Sequence, residues 1–243
     1  MEELNWAMPA IDAMFWSRLG QIMLVNLILS GDNAVIIAMA VNKLEPKLKR
    51  WGIILGSGLA VILRIILTGI AVYLLTIPFL KVVGGALILW IAVKLFAEGH
   101  EENVEAAGSL KAAVWTILVA DLVMSIDNVL AVAGAAGGGM ILIIIGLVTS
   151  IPIVVFGSTI LSALMQKFPI IITIGAAILG KVGGEMIITD AWVHKTFHPD
   201  AYVVNLFNKD IPYIDWGIQI FFAIGVIVVG KMLMKKGAES ESH

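Results

Sequence analysis

The sequence predicts an all-α membrane protein with seven transmembrane helices, arranged as two inverted three-helix repeats plus one extra C-terminal helix. Three observations predict this fold class. The chain is 60% hydrophobic and 14% charged, whereas soluble domains are roughly half apolar and about a quarter charged. Seven apolar stretches reach about 20 residues, the length that a helix needs to cross a bilayer. A short polar motif also occurs twice, in two of these stretches.

The first three predicted spans are 14–40, 52–75 and 79–97. The first follows an acidic start that lacks the basic residues of a cleavable signal, so we expect it to remain as a signal anchor. The second is apolar apart from Arg64, well inside it. Pro78 and Lys81 limit the start of the third span, and Lys94 lies near its end.

The other four predicted spans are 112–135, 140–165, 168–190 and 216–234. The fourth contains the second copy of the polar motif. The fifth has no charged residue, and its Pro152 is tolerable because neighbouring helices can satisfy the freed backbone groups. The sixth carries Lys181 and Glu185 one helical turn apart. The seventh stands outside the repeats.

The basic residues predict an N-out/C-in orientation. With the N-terminus outside, nine Lys and Arg residues lie in cytoplasmic segments and four in outer segments, as the positive-inside rule requires. The acidic loop 98–109 is then cytoplasmic, and the long loop 190–215 faces outward. We expect the protein to be a multi-pass protein of the cytoplasmic membrane of a bacterium.

The polar motif reveals an internal repeat. Residues 27–38 align without gaps with 122–133, and five of the twelve positions are identical, among them those of the shared Ser-x-Asp-Asn motif. The same alignment places Asn26 over Asp121. Chance similarity between two apolar segments would match Leu and Ala rather than these polar residues.

Weaker similarity extends the repeat to three helices, since 58–69 aligns with 146–157 and 84–95 aligns with 175–186. The repeats therefore span about 14–97 and 112–190, within a single transmembrane domain over 1–243. An odd number of crossings forces the second copy to enter from the opposite side of the membrane, so the repeats are predicted to be inverted. Inversion brings both motifs to a similar depth near the midplane, where secondary transporters keep their substrate site.

The two motifs supply the candidate metal ligands. A lone Asp at the centre of a span costs about 2.5–3.5 kcal/mol of insertion free energy. The predicted spans carry three, Asp32, Asp121 and Asp127, which indicates that a cation compensates their charge. Residues four and seven apart share one helix face, which gathers the Asn and Ser side chains of each motif into one stripe. The candidate ligands are Asn26, Ser30, Asp32, Asn33, Asp121, Ser125, Asp127 and Asn128.

The ligand types suggest the cargo. Carboxylate, amide and hydroxyl oxygens, without Cys or His in the spans, suit hard divalent cations such as Mn²⁺, Mg²⁺ or Ca²⁺. The spacing does not choose among these ions. The alternative interpretation is that the Ser and Asn side chains only hydrogen-bond across the helix bundle. We expect no permanently bound cofactor, because the metal ion is the transported species.

Three other charged residues are candidates for coupling or gating. Lys94 could pair with a site carboxylate, or its ammonium could reach the inner interface. Glu185 could carry a proton, or it could form an intrahelical ion pair with Lys181. Arg64 could neutralise an emptied site, or it could hold its helix to a carbonyl.

The motifs "LSGDNA" (29–34) and "MSIDNV" (124–129), together with "GGALILWIAVKL" (84–95), resemble the TerC family of integral membrane proteins over residues 14 to 235. The resemblance implies a seven-helix manganese transporter of the short form, without an appended soluble domain, that generally exports the ion from the cytoplasm. It also implies roles in metal handling for Asp32, Asn33, Asp127 and Asn128, and for Asp121. The two copies differ, with Gly31 in one and Ile126 in the other.

The predicted function is secondary transport: export of a divalent cation, Mn²⁺ by resemblance, in exchange for protons. The protein is expected not to be an enzyme, and its expected partners are lipid, the metal ion and protons, with no nucleic acid. One alternative is a membrane metallochaperone that supplies manganese to exported enzymes or the secretion machinery. Another is an intramembrane aspartyl protease, although Leu29 replaces the first Gly of the Gly-x-Gly-Asp signature. A channel is the third, but it could conduct only downhill.

Overall fold

The structure is a computed structural model that describes residues 11–29, 31–74, 77, 79–100, 109–136, 140–190, 192–193, 203–206 and 209–241. For some of these residues only the backbone is described, namely 25–29, 71–74, 100, 126–136, 203–206, 209–215 and 236–241. The structural statements that follow refer to this described part of the chain.

Eight helices and one two-stranded hairpin form from the described residues. The helices are α1 (Ala13–Leu29), α2 (Gly31–Ala40), α3 (Pro46–Leu74), α4 (Leu80–His100), α5 (Leu110–Ala136), α6 (Met140–Lys167), α7 (Ile170–Ile188) and α8 (Tyr213–Glu241). The strands β1 (Val203–Leu206) and β2 (Lys209–Pro212) pair antiparallel, with Val203 opposite Pro212. The hairpin lies within the predicted loop 190–215, outside the predicted spans.

Within the described residues, five helical segments are long and apolar enough to cross a membrane: Pro46–Ile70, Leu80–Gly99, Met140–Lys167, Ile170–Ile188 and Trp216–Lys235. They correspond to the second, third, fifth, sixth and seventh predicted spans. The predicted span 14–40 corresponds to α1 and α2, which lie on either side of residue 30, and the predicted span 112–135 corresponds to α5. The count of seven crossings and the orientation stay predictions.

The chain forms two compact units that do not follow the predicted repeats. The first unit comprises residues 1–75 and 107–164, and therefore holds α1, α2, α3, α5 and nearly all of α6. The second comprises residues 76–106 and 165–243, with α4, α7, the hairpin and α8. Each unit thus takes helices from both predicted repeats.

Apolar side chains hold the first unit together in two clusters. In one, Phe15, Leu19 and Ile22 of α1 pack against the segment Met140–Leu147 of α6. In the other, residues of α2 and α3 pack against Ala113 and Ile117 of α5. In the alignment of the predicted repeats, α1 corresponds to α5 and α3 corresponds to α6. Exchanging the repeats therefore turns the α1–α6 contact into the α5–α3 contact. A two-fold relation between the repeats would produce this pairing, and that relation stays a prediction.

Glycines allow the helices of the second unit to approach closely. A Cβ atom added to Gly85 of α4 would meet the backbone carbonyl of Gly183 in α7. One added to Gly180 of α7 would lie 2.8 Å from the Cα of Ala223 in α8. Small residues at helix crossings are the usual way in which membrane helices come into contact.

Candidate functional site

The first unit contains a buried ion pair between the helices α3 and α5. Arg64 of α3 donates from Nη2 to Oδ1 of Asp121 in α5 over 2.6 Å. Arg64 Nε donates to Ser125 Oγ over 3.0 Å, and Ser125 Oγ donates to Asp121 Oδ2 over 3.2 Å. Arg64 and Asp121 are each only 6% exposed. Both carboxylate oxygens of Asp121 therefore have a partner within the protein.

Local helix geometry explains how these side chains meet. Asp121 and Ser125 are four residues apart, so they share one face of α5, and this face is turned toward α3. The two helices approach closely at Gly56, where an added Cβ would lie 2.6 Å from Cδ1 of Ile117. The turn that carries Arg64 is further tied by Thr68, whose Oγ1 donates to the Arg64 carbonyl oxygen over 2.8 Å.

A small cavity adjoins the ion pair within the first unit. Its volume open to a water-sized sphere is about 20 Å³, enough for a water molecule, which needs at least about 10–15 Å³ by this measure. A smaller void of about 10 Å³ reaches Asp121 and Asn33 from another side. The residues around the larger cavity come from α2, α3, α5 and α6: Asn33, Ile37, Ser57, Ala60, Val61, Arg64, Asp121, Ser150, Ile151 and Val154.

The first copy of the motif reaches this cavity through α2. Asn33 is 6% exposed and lines the cavity. Asp32 is partly buried in the first turn of α2, where its Oδ1 accepts a hydrogen bond from the Asn33 backbone N–H over 2.8 Å. The Asp32 carboxylate is close enough to Arg64 and Asp121 for electrostatic interaction with both.

Four of the eight candidate ligands cannot be placed in the site. Ser30 and the side chains of Asn26, Asp127 and Asn128 lie outside the described residues. Among the side chains that are described, no three His, Cys, Asp or Glu residues gather into a group that could hold a metal ion. The described part of the candidate site is therefore Asp32, Asn33, Asp121 and Ser125, with Arg64 as their neighbour.

The other two predicted coupling residues belong to the second unit. Glu185 accepts a hydrogen bond from Lys181 Nζ over 3.1 Å, and both side chains are about half exposed, at 48% and 47%. Lys94 lies 3.7 Å from Glu98, four residues later, and 5.6 Å above the ring of Trp90. The contact of Glu185 with Lys181 is the intrahelical ion pair given as the alternative for that residue, whereas the contacts of Lys94 do not test its alternative, and both coupling roles stay predictions.

Two serines of the cavity were not among the predicted site residues. Ser57 is 3% exposed, and its Oγ has no hydrogen-bond partner within the described part of the chain. Ser150 is also buried, but its Oγ donates to the Leu147 carbonyl oxygen over 2.7 Å. Ser57 lies seven residues before Arg64 and thus on the same face of α3. That spacing is the signal in the sequence from which it could have been found.

Gly31 is the first residue of α2 and directly precedes Asp32, so substitution there tests whether this backbone position needs glycine. A Cβ added to Gly31 meets no atom within 4 Å, and Gly costs a helix about 0.8–1 kcal/mol relative to Ala. We therefore expect Gly31→Ala to raise the free energy of unfolding by up to about 1 kcal/mol, measured by tryptophan fluorescence in detergent during thermal unfolding. A decrease of similar size would show that the native backbone at this position needs glycine.

Comparison with known proteins agrees with this architecture. The family model described as "Integral membrane protein TerC family" matches residues 11–238. The chain belongs to the TerC family. Among TerC-like relatives, the uncharacterized membrane protein YjbE of Bacillus subtilis (strain 168) is 46% identical over 167 residues, which cover 68% of this chain and 77% of YjbE.

A second relative in Bacillus subtilis (strain 168), the uncharacterized membrane protein YceF, is 28% identical over 153 residues. This match covers 58% of the chain and 60% of YceF. No solved structure matches the chain significantly. The TerC-family assignment therefore rests on sequence, and together with the apolar helices it makes this chain a multi-pass integral membrane protein.

Proposed function

We propose that this TerC-family protein is a secondary transporter, not an enzyme, that exports divalent metal cations from the cytoplasm of a bacterium in exchange for protons. One observation carries the proposal: the buried carboxylate of Asp121 borders a small cavity that polar and apolar side chains of α2, α3, α5 and α6 line together. Ionisable residues inside membranes are costly and mark ion pathways or proton relays.

The chemistry of the described site supports a hard divalent cation as substrate. Asp32, Asn33, Asp121 and Ser125 offer carboxylate, amide and hydroxyl oxygens, which Mn²⁺, Mg²⁺ and Ca²⁺ prefer. The proposal takes Mn²⁺ as the main cargo because the resemblance to the TerC family implies it. Asp127 and Asn128 are proposed as further ligands from the second copy of the motif.

Proton exchange supplies the driving force for export. Moving a divalent cation outward against 100 mV, inside negative, costs about 4.6 kcal/mol, twice the value of about 2.3 kcal/mol for each charge. The inward movement of two protons for each cation cancels this electrical cost. Carboxylates that bind the cation when ionised can carry the protons when the cation has left.

Purified protein in liposomes tests the proposal. We expect Mn²⁺ added outside to enter the vesicles and quench internal calcein, and to enter faster when the interior is more acidic than the medium. Internal pyranine should report two protons leaving for each Mn²⁺ that enters. Asp32→Asn should slow Mn²⁺ entry at least about tenfold, because it replaces a charged carboxylate ligand by a neutral amide and a loss of about 1.4 kcal/mol is a factor of ten.

Asp12→Asn is the matched control. Asp12 is exposed and caps α1 by accepting a hydrogen bond from the Phe15 N–H, and Asn caps helices about as well as Asp. The control should therefore transport Mn²⁺ like the wild type. Mn²⁺ binding without entry would reject transport in favour of a metallochaperone. Entry that is independent of the pH gradient would reject proton exchange.

A further inference from the structure

The carboxylate of Asp121 is already bound by a cation from its own chain. Its Oδ1 accepts the hydrogen bond from Arg64 Nη2, and its Oδ2 accepts the one from Ser125 Oγ. A divalent cation that binds Oδ1 therefore comes within contact distance of the guanidinium, which already holds one of the two lone pairs of that oxygen. Arginine cannot lose its proton in a protein, so Arg64 cannot become neutral to make way, and like charges at contact distance repel each other strongly in a buried site.

The positions equivalent to Asp121 and Arg64 in the other repeat are both uncharged. In the alignment of the first helices, Asp121 corresponds to Asn26, and in the alignment of the second helices, Arg64 corresponds to Pro152. The second pair of equivalent positions therefore lacks both the acid and the base. The acid and the base are thus either both present or both absent, which indicates that Arg64 balances the charge of Asp121.

Polar groups near Arg64 can interact with its guanidinium after displacement from Asp121. The cavity beside the pair is lined by Arg64 itself and by Ser57, whose Oγ lacks a hydrogen-bond partner among the described residues and can accept one. Ser57 is two helical turns away on the same face of α3, about 10 Å along the helix axis. Asp32 lies close enough to Arg64 to attract its charge.

We propose that Arg64 is a tethered counter-ion that competes with the transported cation for Asp121. Its guanidinium holds the carboxylate while the site is empty and swings away from it, toward Ser57 along the same face of α3, when the cation binds. The inference rests on the proposed transport of divalent cations and adds a regulator of affinity to it. Because the emptied carboxylate regains a partner at once, the arginine favours release of the cation and keeps the empty carrier from holding an uncompensated charge.

Removal of the guanidinium should increase the affinity for Mn²⁺. We expect Arg64→Ala to bind Mn²⁺ at least about tenfold more tightly than the wild type, measured on full-length purified protein by loss of the electron paramagnetic resonance signal of free Mn²⁺. Arg50→Ala is the matched control, because Arg50 lies exposed in the first turns of the same helix. It should bind Mn²⁺ with wild-type affinity.

Chemical rescue separates competition from a structural role. Guanidinium ion in the low millimolar range should weaken Mn²⁺ binding to Arg64→Ala several-fold and leave binding to the wild type unchanged, whereas urea, which has a similar shape without charge, should have no effect. Equal or weaker Mn²⁺ binding by Arg64→Ala, or no competition by guanidinium, overturns the proposal, since an arginine that only joins two helices would give those results.

Arg64→Lys covers the case in which the alanine variant does not fold. Its shorter side chain keeps the charge but lacks the planar fork that joins Asp121 to Ser125, so Mn²⁺ affinity should rise, by less than in the alanine variant. Affinity equal to or below the wild type contradicts the counter-ion role. If the wild type itself moves no Mn²⁺ into liposomes, the proposed function fails. If it does move Mn²⁺ while affinity in the Arg64 variants does not rise, only the counter-ion role fails.

Discussion

Asp121→Asn lowers the free energy of unfolding by about 3–5 kcal/mol, the loss expected when one partner of a buried ion pair is removed. The substitution leaves the Arg64 guanidinium buried, charged and facing an amide, and arginine has no neutral form to adopt. Thermal unfolding in detergent, followed by tryptophan fluorescence, measures the change. Arg64→Gln should cost less, because the carboxylate left behind can be protonated.

The double variant Arg64→Gln/Asp121→Asn decides whether charge is the cause. With neither charge present, two amides of suitable size can hydrogen-bond across α3 and α5, so most of the lost stability should return. Mn²⁺ entry into liposomes should nevertheless remain absent, because the proposed carboxylate ligand is missing. A double variant as unstable as Asp121→Asn would show that packing, rather than an unpaired charge, determines the stability of this region.

Gly180→Ala is the second substitution with a large expected effect, a loss of about 1–3 kcal/mol of unfolding free energy through overpacking. The added methyl group would lie 2.8 Å from the Cα of Ala223 and 2.8 Å from the carbonyl oxygen of Phe222. Both are backbone atoms of α8, so no side chain can rotate away, and α7 and α8 must separate.

Gly225→Ala provides the control for that substitution within the same unit. A Cβ added to Gly225 of α8 meets no atom within 4 Å, so the change should be neutral or slightly stabilising, as replacement of helical Gly by Ala usually is. Thermal unfolding of both variants in one detergent gives the comparison. Equal stability of the two variants would contradict the close α7–α8 contact.

The helical spans were predictable because hydropathy is a local property. A segment such as 140–165 is apolar throughout, and its residues alone favour a helix across the bilayer; α6 (Met140–Lys167) agrees with it. Element boundaries were predicted less well, since helices continue into the interfacial regions, where apolar composition no longer marks them. The β-hairpin at 203–212 was not predicted, because two four-residue strands stabilise each other only when paired.

The candidate site was predictable only in part. Asn33, Asp121 and Ser125 are candidates from the repeated motif that the structure brings to one region of the first unit, and their role as ligands stays a prediction. Arg64 was a candidate with two open roles; the structure places its guanidinium against Asp121, and the gating role stays a prediction. Ser57 was missed, because its one sequence signal, the seven-residue spacing from Arg64, shows which face of α3 it shares but not what lies opposite that face.

The sequence by itself determined the membrane location, the helical spans, the doubled motif and the oxygen chemistry of the candidate ligands. These follow from residue type and from spacing along one helix, and both are properties of short segments. Only the tertiary structure decided that Arg64 and Asp121, 57 residues apart, form one ion pair, and that helices of both repeats share one unit. Pairing between distant helices depends on which surfaces pack together. The close approach of α3 and α5 at Gly56 is one such contact, and it cannot be recognised from either helix alone.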